Sequence, residues 1–319
     1  MPTPLPPNIN SSTIALLESS LVDAQRLGLV RVSIAGASVV QFAADKVGTM
    51  EAGVLLAKGC LGGDAEVSVV DPASNQISLP HIAVSTSSPL VDCIGCQYAG
   101  WPLKVDDYSA MASGPIRLLR GSESVLEQYG LSLSEKQAVI VLESHKLPTE
   151  TAVAHIAQQA VIAEQDLFIC IANTSSLPGS LQVVARSVET AMHKLHEIGF
   201  DLETVQYGQG TAPLPPMTDS DLTAMGWTND AMLYGASVEL TVDTTDEDIA
   251  TIIDQAPSSR SEQFGKPFLT IFNEAGRDFY KIDPLLFAPA AITIKNQPSG
   301  NSFSAGELHP DILQTSFGV

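Results

Sequence analysis

Apolar and polar positions repeat with two different periods along the chain, and the switches between them predict its elements. A helix-like period over residues 12–27 leads into two short strand-like runs, 30–34 and 38–42, on either side of a turn at Gly36. A Gly-rich stretch at 53–63 precedes two more strand-like runs, 65–70 and 82–86. Beyond residue 107 the alternation becomes regular: the pattern predicts helix over 108–129, strand over 138–142, helix over 149–163, strand over 167–171 and helix over 179–198, closed by Gly199. Such alternation packs helices onto a sheet. On the last helix, at about 100° per residue, Leu181, Val184, Val188, Met192 and Leu195 share one face. Arg186, Glu189, His193 and His196 form a polar stripe opposite or flanking it.

Residues 207–217 hold three prolines and two glycines and read as a linker. After it, Gly36-Ala37-Ser38-Val39 recurs as Gly235-Ala236-Ser237-Val238, and each copy is followed by a helix-like stretch and a strand, 67–70 and 268–272. The echo pairs the two ends of the chain in one domain, 1–100 plus 216–319, and leaves 101–215 as a second domain carrying the Arg186 and Glu189 helix. The expected fold is mixed α and β (α+β or α/β), with two domains and a substrate cleft between them.

Composition narrows the function. Hydrophobic residues make up 45% of the 319 and charged residues 16%, too apolar a balance for disorder. Lys and Arg number 16 against 36 Asp and Glu, a net charge of −20. That balance argues against nucleic acid and anionic membrane partners, whose affinity comes from Lys and Arg. No apolar run approaches the ~20 residues that cross a bilayer. With no basic residue before Arg26, the opening lacks the pattern of a secretory signal, so a cytoplasmic location is expected. Cys60, Cys93, Cys96 and Cys170 are then expected as free thiols.

Short motifs leave several chemistries without support. Cys93-Ile94-Gly95-Cys96 has the spacing of a redox pair or half a zinc site, but no second pair lies near it, and thiols in a turn before Trp101 are the plainer reading. His193 and His196 are spaced to share a metal on a helix, without the rest of a zinc-protease motif. A metal or redox protein built on these four residues is one alternative. No GxGxxG, GxxxxGK[ST] or GxSxG motif is present, so nucleotide cofactors and serine-hydrolase chemistry are not indicated.

The run Ala185-Arg186-Ser187-Val188-Glu189 through Gly199-Phe200-Asp201, followed by Thr228-Asn229-Asp230-Ala231 and Leu233-Tyr234-Gly235, resembles the methenyltetrahydromethanopterin cyclohydrolase family. Similar stretches are Gln97-Tyr98-Ala99-Gly100-Trp101, Ser113-Gly114-Pro115 with Arg117, Val141-Leu142-Glu143-Ser144 before Leu147-Pro148, Phe287-Ala288-Pro289-Ala290 and Ser316-Phe317-Gly318. They keep the family's order over nearly the whole chain from about residue 30.

The resemblance implies reversible hydrolysis of the 5,10-methenyl bridge of tetrahydromethanopterin to the 5-formyl form, in methanogenesis or formaldehyde oxidation, with no metal or nucleotide cofactor. It implies Glu189 as general base, Arg186 one turn earlier as its electrostatic partner, and Glu143 as a supporting carboxylate that shares the proton. Proximity of Glu143 and Glu189 is the geometric demand of that scheme. Gln97, Ser113, Gly114, Arg117, Asn229, Asp230 and Phe287 are the expected substrate-lining residues. Arg117, Arg120, Lys104 and Lys194 are candidates for the anionic tail, against the chain's overall charge. A homo-oligomer, trimers among the possibilities, is implied as well. The chain departs from the family at Trp227, where an arginine is usual, and at Ala112 and Ile116. Trp227 favours the other alternative, a pterin-binding carrier or regulator without turnover.

Overall fold

The computed structural model describes residues 5–45, 47–98 and 101–319, so residues 1–4 of the Pro-rich opening, Lys46 and the Ala99-Gly100 step of the Gln97 motif lie outside it. Twelve strands occur among the described residues: β1 (Val30–Ile34), β2 (Ala37–Gln41), β3 (Glu66–Val70), β4 (His81–Thr86), β5 (Trp101–Val105), β6 (Tyr108–Ser113), β7 (Ala138–Glu143), β8 (Leu167–Ala172), β9 (Val205–Pro213), β10 (Ser237–Val242), β11 (Ala291–Asn296) and β12 (Ser302–Gly306). They form two six-stranded sheets, ordered β1-β2-β8-β7-β6-β5 and β12-β11-β10-β9-β4-β3. With helices packed on them, the fold is mixed α and β.

Two compact units follow from this pairing. One consists of the chain up to Ala65 plus Val91–Gln182, the other of Glu66–Leu90 plus Val183–Val319. These boundaries differ from the division into 1–100 plus 216–319 and 101–215, because β2 pairs in parallel with β8 while β9 pairs with β4 and β10. The two copies of the Gly-Ala-Ser-Val echo accordingly enter different sheets, at β2 and β10.

In the first unit β2, β8 and β7 run parallel and are apolar on both faces. Ala138, Ile140 and Leu142 of β7, with Leu167, Ile169 and Ile171 of β8, pack on helix Glu150–Ala160 through Val153 and Ile156. Val139, Val141, Phe168 and Cys170 face the other way, onto Leu17 of helix Ile9–Ser20 and Leu55 and Leu56 of helix Met50–Cys60. Strands covered on both sides read as unbroken apolar runs, which is why β7 and β8 are visible in the sequence. Asn10 secures the first helix: its Oδ1 accepts from the Val139 N–H at 2.9 Å, and its amide nitrogen and backbone N–H donate to Glu135 Oε1 at 3.0 and 2.9 Å.

In the second unit one sheet face is apolar and the other polar. Val238, Leu240 and Val242 alternate with Ser237, Glu239 and Thr241 along β10. Helix Ser187–Glu197 packs on the apolar face across β9 and β10. Its close approach depends on glycine: a Cβ at Gly208 would stand 2.6 Å from Val188 Cγ1, and one at Gly210 would stand 2.7 Å from Ser187 Oγ.

Besides helix 179–198, which is two helices, three expected elements are different. Residues 108–129 contain β6 and two short helices, Ile116–Arg120 and Ser124–Gln128, because Tyr108–Ser113 is hydrogen-bonded between β5 and β7. Residues 268–272 are not a strand but the start of helix Phe268–Glu274, with Phe268, Ile271 and Phe272 buried at helical spacing. The Pro- and Gly-rich segment 207–217 is largely β9, an interior strand, with its prolines at and beyond the strand end.

Candidate active site

The family-like segments of the first unit converge on a π-helical stretch, Leu90–Gln97, which belongs to that unit from Val91 onward, a geometry that recurs at functional sites. Gln97 ends it, fully buried. The Gly114 N–H donates to Cys96 O at 2.7 Å. Gly114 has φ +103°, and a Cβ there would meet Val139 O at 3.1 Å, so the Ser-Gly-Pro loop needs glycine for both dihedral and space. Ser113 is buried with its hydroxyl 3.1 Å from the Cys60 thiol.

Arg117 is fully buried and already committed: it donates to Glu123 Oε1 at 3.0 Å and Oε2 at 2.5 Å, and to the Ile94 and Gly95 carbonyls at 2.6 and 3.0 Å. The Tyr98 ring lies 5.1 Å from its guanidinium carbon. It locks the π-helical stretch in place and is not available to an anionic tail, since a buried charge that left these partners would lose its compensation. Arg120 stacks 4.4 Å over the Trp101 ring. Lys104 is exposed on β5.

Glu143 is the last residue of β7, partly buried, at the carboxyl end of the parallel strands, where α/β sheets place their sites. Its carboxylate accepts a hydrogen bond from the Thr174 hydroxyl. Nothing in the spacing of the sequence pointed to Thr174.

The predicted helix 179–198 is two helices, Leu177–Val184, which belongs to the first unit as far as Gln182, and Ser187–Glu197 in the second unit, with Ala185-Arg186 between them. No proline or glycine marks the break, so periodicity alone reads through it. Leu181, Val184, Val188, Met192 and Leu195 are all fully buried, but on two helices and not on one shared face: Leu181 lies against Gly53, Val188 against Gly208. Arg186 becomes the N-cap residue and Glu189 the third residue of the first turn, both buried. A carboxylate there lies in the first turn, at the positive end of the helix dipole. His193 pairs with Glu197 at 3.6 Å, and burial lowers its pKa. Among the described residues no group of three or more His, Cys, Asp or Glu is arranged to hold a metal ion, and all four cysteines are buried thiols outside any disulfide.

Lys194 is buried with its Nζ donating to Leu285 O at 2.5 Å, and burial pushes its pKa down to about 8. It braces the Pro284–Leu286 turn before Phe287. Phe287 is half-buried, with Phe268 at 5.9 Å and Phe279 at 6.4 Å between ring centroids.

Asn229 and Asp230 lie on helix Asp221–Gly235. The Asn229 side chain donates to Met225 O of its own helix at 2.8 Å. Asp230 accepts from the Phe268 N–H at 2.7 Å and the Ser316 hydroxyl at 2.5 Å, tying three helices together. Trp227 joins the same junction, donating to Ser316 O at 2.7 Å and packing edge-on against Phe317. Burial pushes the Asp230 carboxyl up to about 7, while its two hydrogen bonds pull it down. The folded chain therefore holds a proton that the unfolded chain has lost between pH about 4 and about 7. Stability from this group is full below that window and declines as pH rises through it. Denaturant unfolding at several pH values is expected to show a decline that is absent in Asp230→Asn; equal slopes in the two proteins would count against this assignment.

The described residues form a mixed α and β protein with one carboxylate, Glu143, at a strand end and with Arg186 and Glu189 at a helix start, residue types that acid-base chemistry can use. Residues 8–317 match the family model described as Cyclohydrolase (MCH). Methenyltetrahydromethanopterin cyclohydrolase of Rhodopirellula baltica is 41% identical over 99% of this chain and 97% of its own length. The proteins of that name from Methanococcoides burtonii and Methylobacterium organophilum are 41% and 38% identical, over 89% and 98% of this chain and the same shares of theirs. The chain belongs to the cyclohydrolase (MCH) family.

Proposed function

We propose that this chain is a methenyltetrahydromethanopterin cyclohydrolase, adding water reversibly across the 5,10-methenyl bridge to give the 5-formyl form. The observation that carries the reading is the family match across residues 8–317, with Glu143, Arg186 and Glu189 all present.

The reacting carbon lies between two nitrogens of a cationic amidinium and is electrophilic as it stands. Water adds to that carbon, Glu189 takes the proton that water loses, and Arg186 steadies the carboxylate and the developing oxygen charge. The proton then passes to the departing N10, the C–N10 bond breaks, and the formyl group remains on N5 with one proton released overall. Glu143 supports this transfer as a second carboxylate. Phe287 offers a flat contact to the pterin, with Gln97, Ser113 and Gly114 contributing to the lining. The substrate supplies its own electrophile, so no metal or nucleotide is needed in this scheme. We place the enzyme in the cytoplasm as a homo-oligomer; no helix among the described residues is long and apolar enough to cross a membrane.

The test is the absorbance decay of methenyltetrahydromethanopterin with purified protein, corrected for spontaneous hydrolysis and run beside methenyltetrahydrofolate. Acceleration confined to the methanopterin substrate is expected. Tight binding without acceleration would make the chain a carrier instead. Dialysis against a chelator is expected to leave turnover unchanged, and loss restored by one metal would overturn the cofactor-free scheme.

A further inference from the structure

A glutamate at a strand end has three rotatable bonds, and a carboxylate that shares a proton has to be held in one place. The parallel partner of β7 supplies the means. β8 ends at Ala172, directly opposite Glu143, and the Ser144 N–H donates to Ala172 O at 3.0 Å. Two residues further on, the Thr174 hydroxyl donates to Glu143 Oε1. Thr174 is 6% exposed, so water competes poorly for that bond.

The backbone around Thr174 is fixed independently of the carboxylate. The Ser176 N–H and hydroxyl both donate to Asn173 O, at 3.0 and 2.7 Å, and Ser176 Oγ accepts from the Gly179 N–H at 3.1 Å. Asn173 lends a further tie through its side-chain nitrogen, 2.6 Å from Ser175 Oγ. Threonine adds stiffness of its own, because β-branching restricts χ1. The hydroxyl is therefore held by the turn on one side and by its rotamer on the other.

We propose that Thr174 is the positioning residue of the Glu143 carboxylate: its hydroxyl engages one oxygen, fixes the side-chain rotamer and directs proton exchange to the other oxygen. This rests on the reading of Glu143 as the supporting carboxylate. Thr174 touches no reacting atom in this scheme and acts through Glu143 alone.

Three variants test it by steady-state kinetics on methenyltetrahydromethanopterin: Thr174→Val, which keeps shape and removes the donor, Thr174→Ser, which keeps the donor, and Glu143→Gln. Thr174→Val is expected to lower kcat about 10-fold with KM within about twofold, since misplacing a catalytic group acts on the chemical step. Thr174→Ser is expected to restore kcat to within about twofold of the parent. In a Glu143→Gln background, Thr174→Val is expected to cost nothing more, because the two residues act as one unit. Equal losses in the Val and Ser variants, or a full Thr174→Val penalty in the Glu143→Gln background, would reduce Thr174 to a structural residue and overturn the inference. Full turnover in Glu143→Gln itself would instead remove Glu143 from the mechanism, a failure of the underlying reading. A loss in Glu143→Gln with none in Thr174→Val would sink this inference alone. If Thr174→Val does not fold, Thr174→Ala is compared with Thr174→Ser by the same criteria.

Discussion

Glu189→Gln is expected to lower kcat by about 100-fold or more while leaving substrate affinity within a few-fold, the signature of a lost general base. The amide matches the carboxylate in size and cannot take a proton from water. The scaffold should absorb the change, because losing a negative charge at a helix start costs only about 0.3–1 kcal/mol. The first turn of helix Ser187–Glu197 is also held from outside, by Ser187 and Val188 against Gly210 and Gly208 of β9. Direct measurement of substrate binding to the variant separates the two effects. Turnover near that of the parent would remove Glu189 from the mechanism, and loss of binding in parallel with kcat would assign it to holding the cation in the ground state.

The second large effect is expected at Gly179. A Cβ there would stand 1.9 Å from Asn173 O and 2.6 Å from Asn173 C, both backbone atoms that cannot rotate aside. Gly179→Ala must push helix Leu177–Val184 away from the turn that carries Thr174, or distort the turn itself. Overpacking of this kind costs typically about 1–3 kcal/mol, and the rigid partner places Gly179→Ala at about 3. Denaturant unfolding is expected to show that loss. The folded fraction is expected to turn over more slowly, because Glu143 takes its hydrogen bond from the same turn. Unchanged stability would mean that the turn relaxes freely, and the constraint on Thr174 would go with it.

The elements easiest to read were those buried on both faces. Ala138-Val139-Ile140-Val141-Leu142 and Leu167-Phe168-Ile169-Cys170-Ile171 are apolar throughout because helices cover each side of β7 and β8. Elements that depend on distant partners were harder. Tyr108–Ser113 contains Ala and Met, which favour helix, yet neighbours on both sides make it a strand. Phe268-Leu269-Thr270-Ile271-Phe272 has the residues of a strand and folds as a helix, since Phe268, Ile271 and Phe272 are buried at helical spacing. Gly208 and Gly210 resemble linker glycines; in β9 they instead make room for the helix that bears Glu189.

By itself the sequence determined the chemistry on offer: an acidic chain without nucleotide or serine-nucleophile motifs, bearing Glu143, Arg186 and Glu189 in the context of one family. Residue type and local order are enough for that, because they set which protons and charges a chain can supply. Only the tertiary structure decided how individual side chains are used. It committed Arg117 to Glu123 and two carbonyls, Lys194 to Leu285, Asp230 and Trp227 to a helix junction, and Thr174 to Glu143. Each partner except Glu123 is more than 20 residues away in the chain, and burial makes each bond expensive to leave unmade, so neither spacing nor periodicity carries a trace of it.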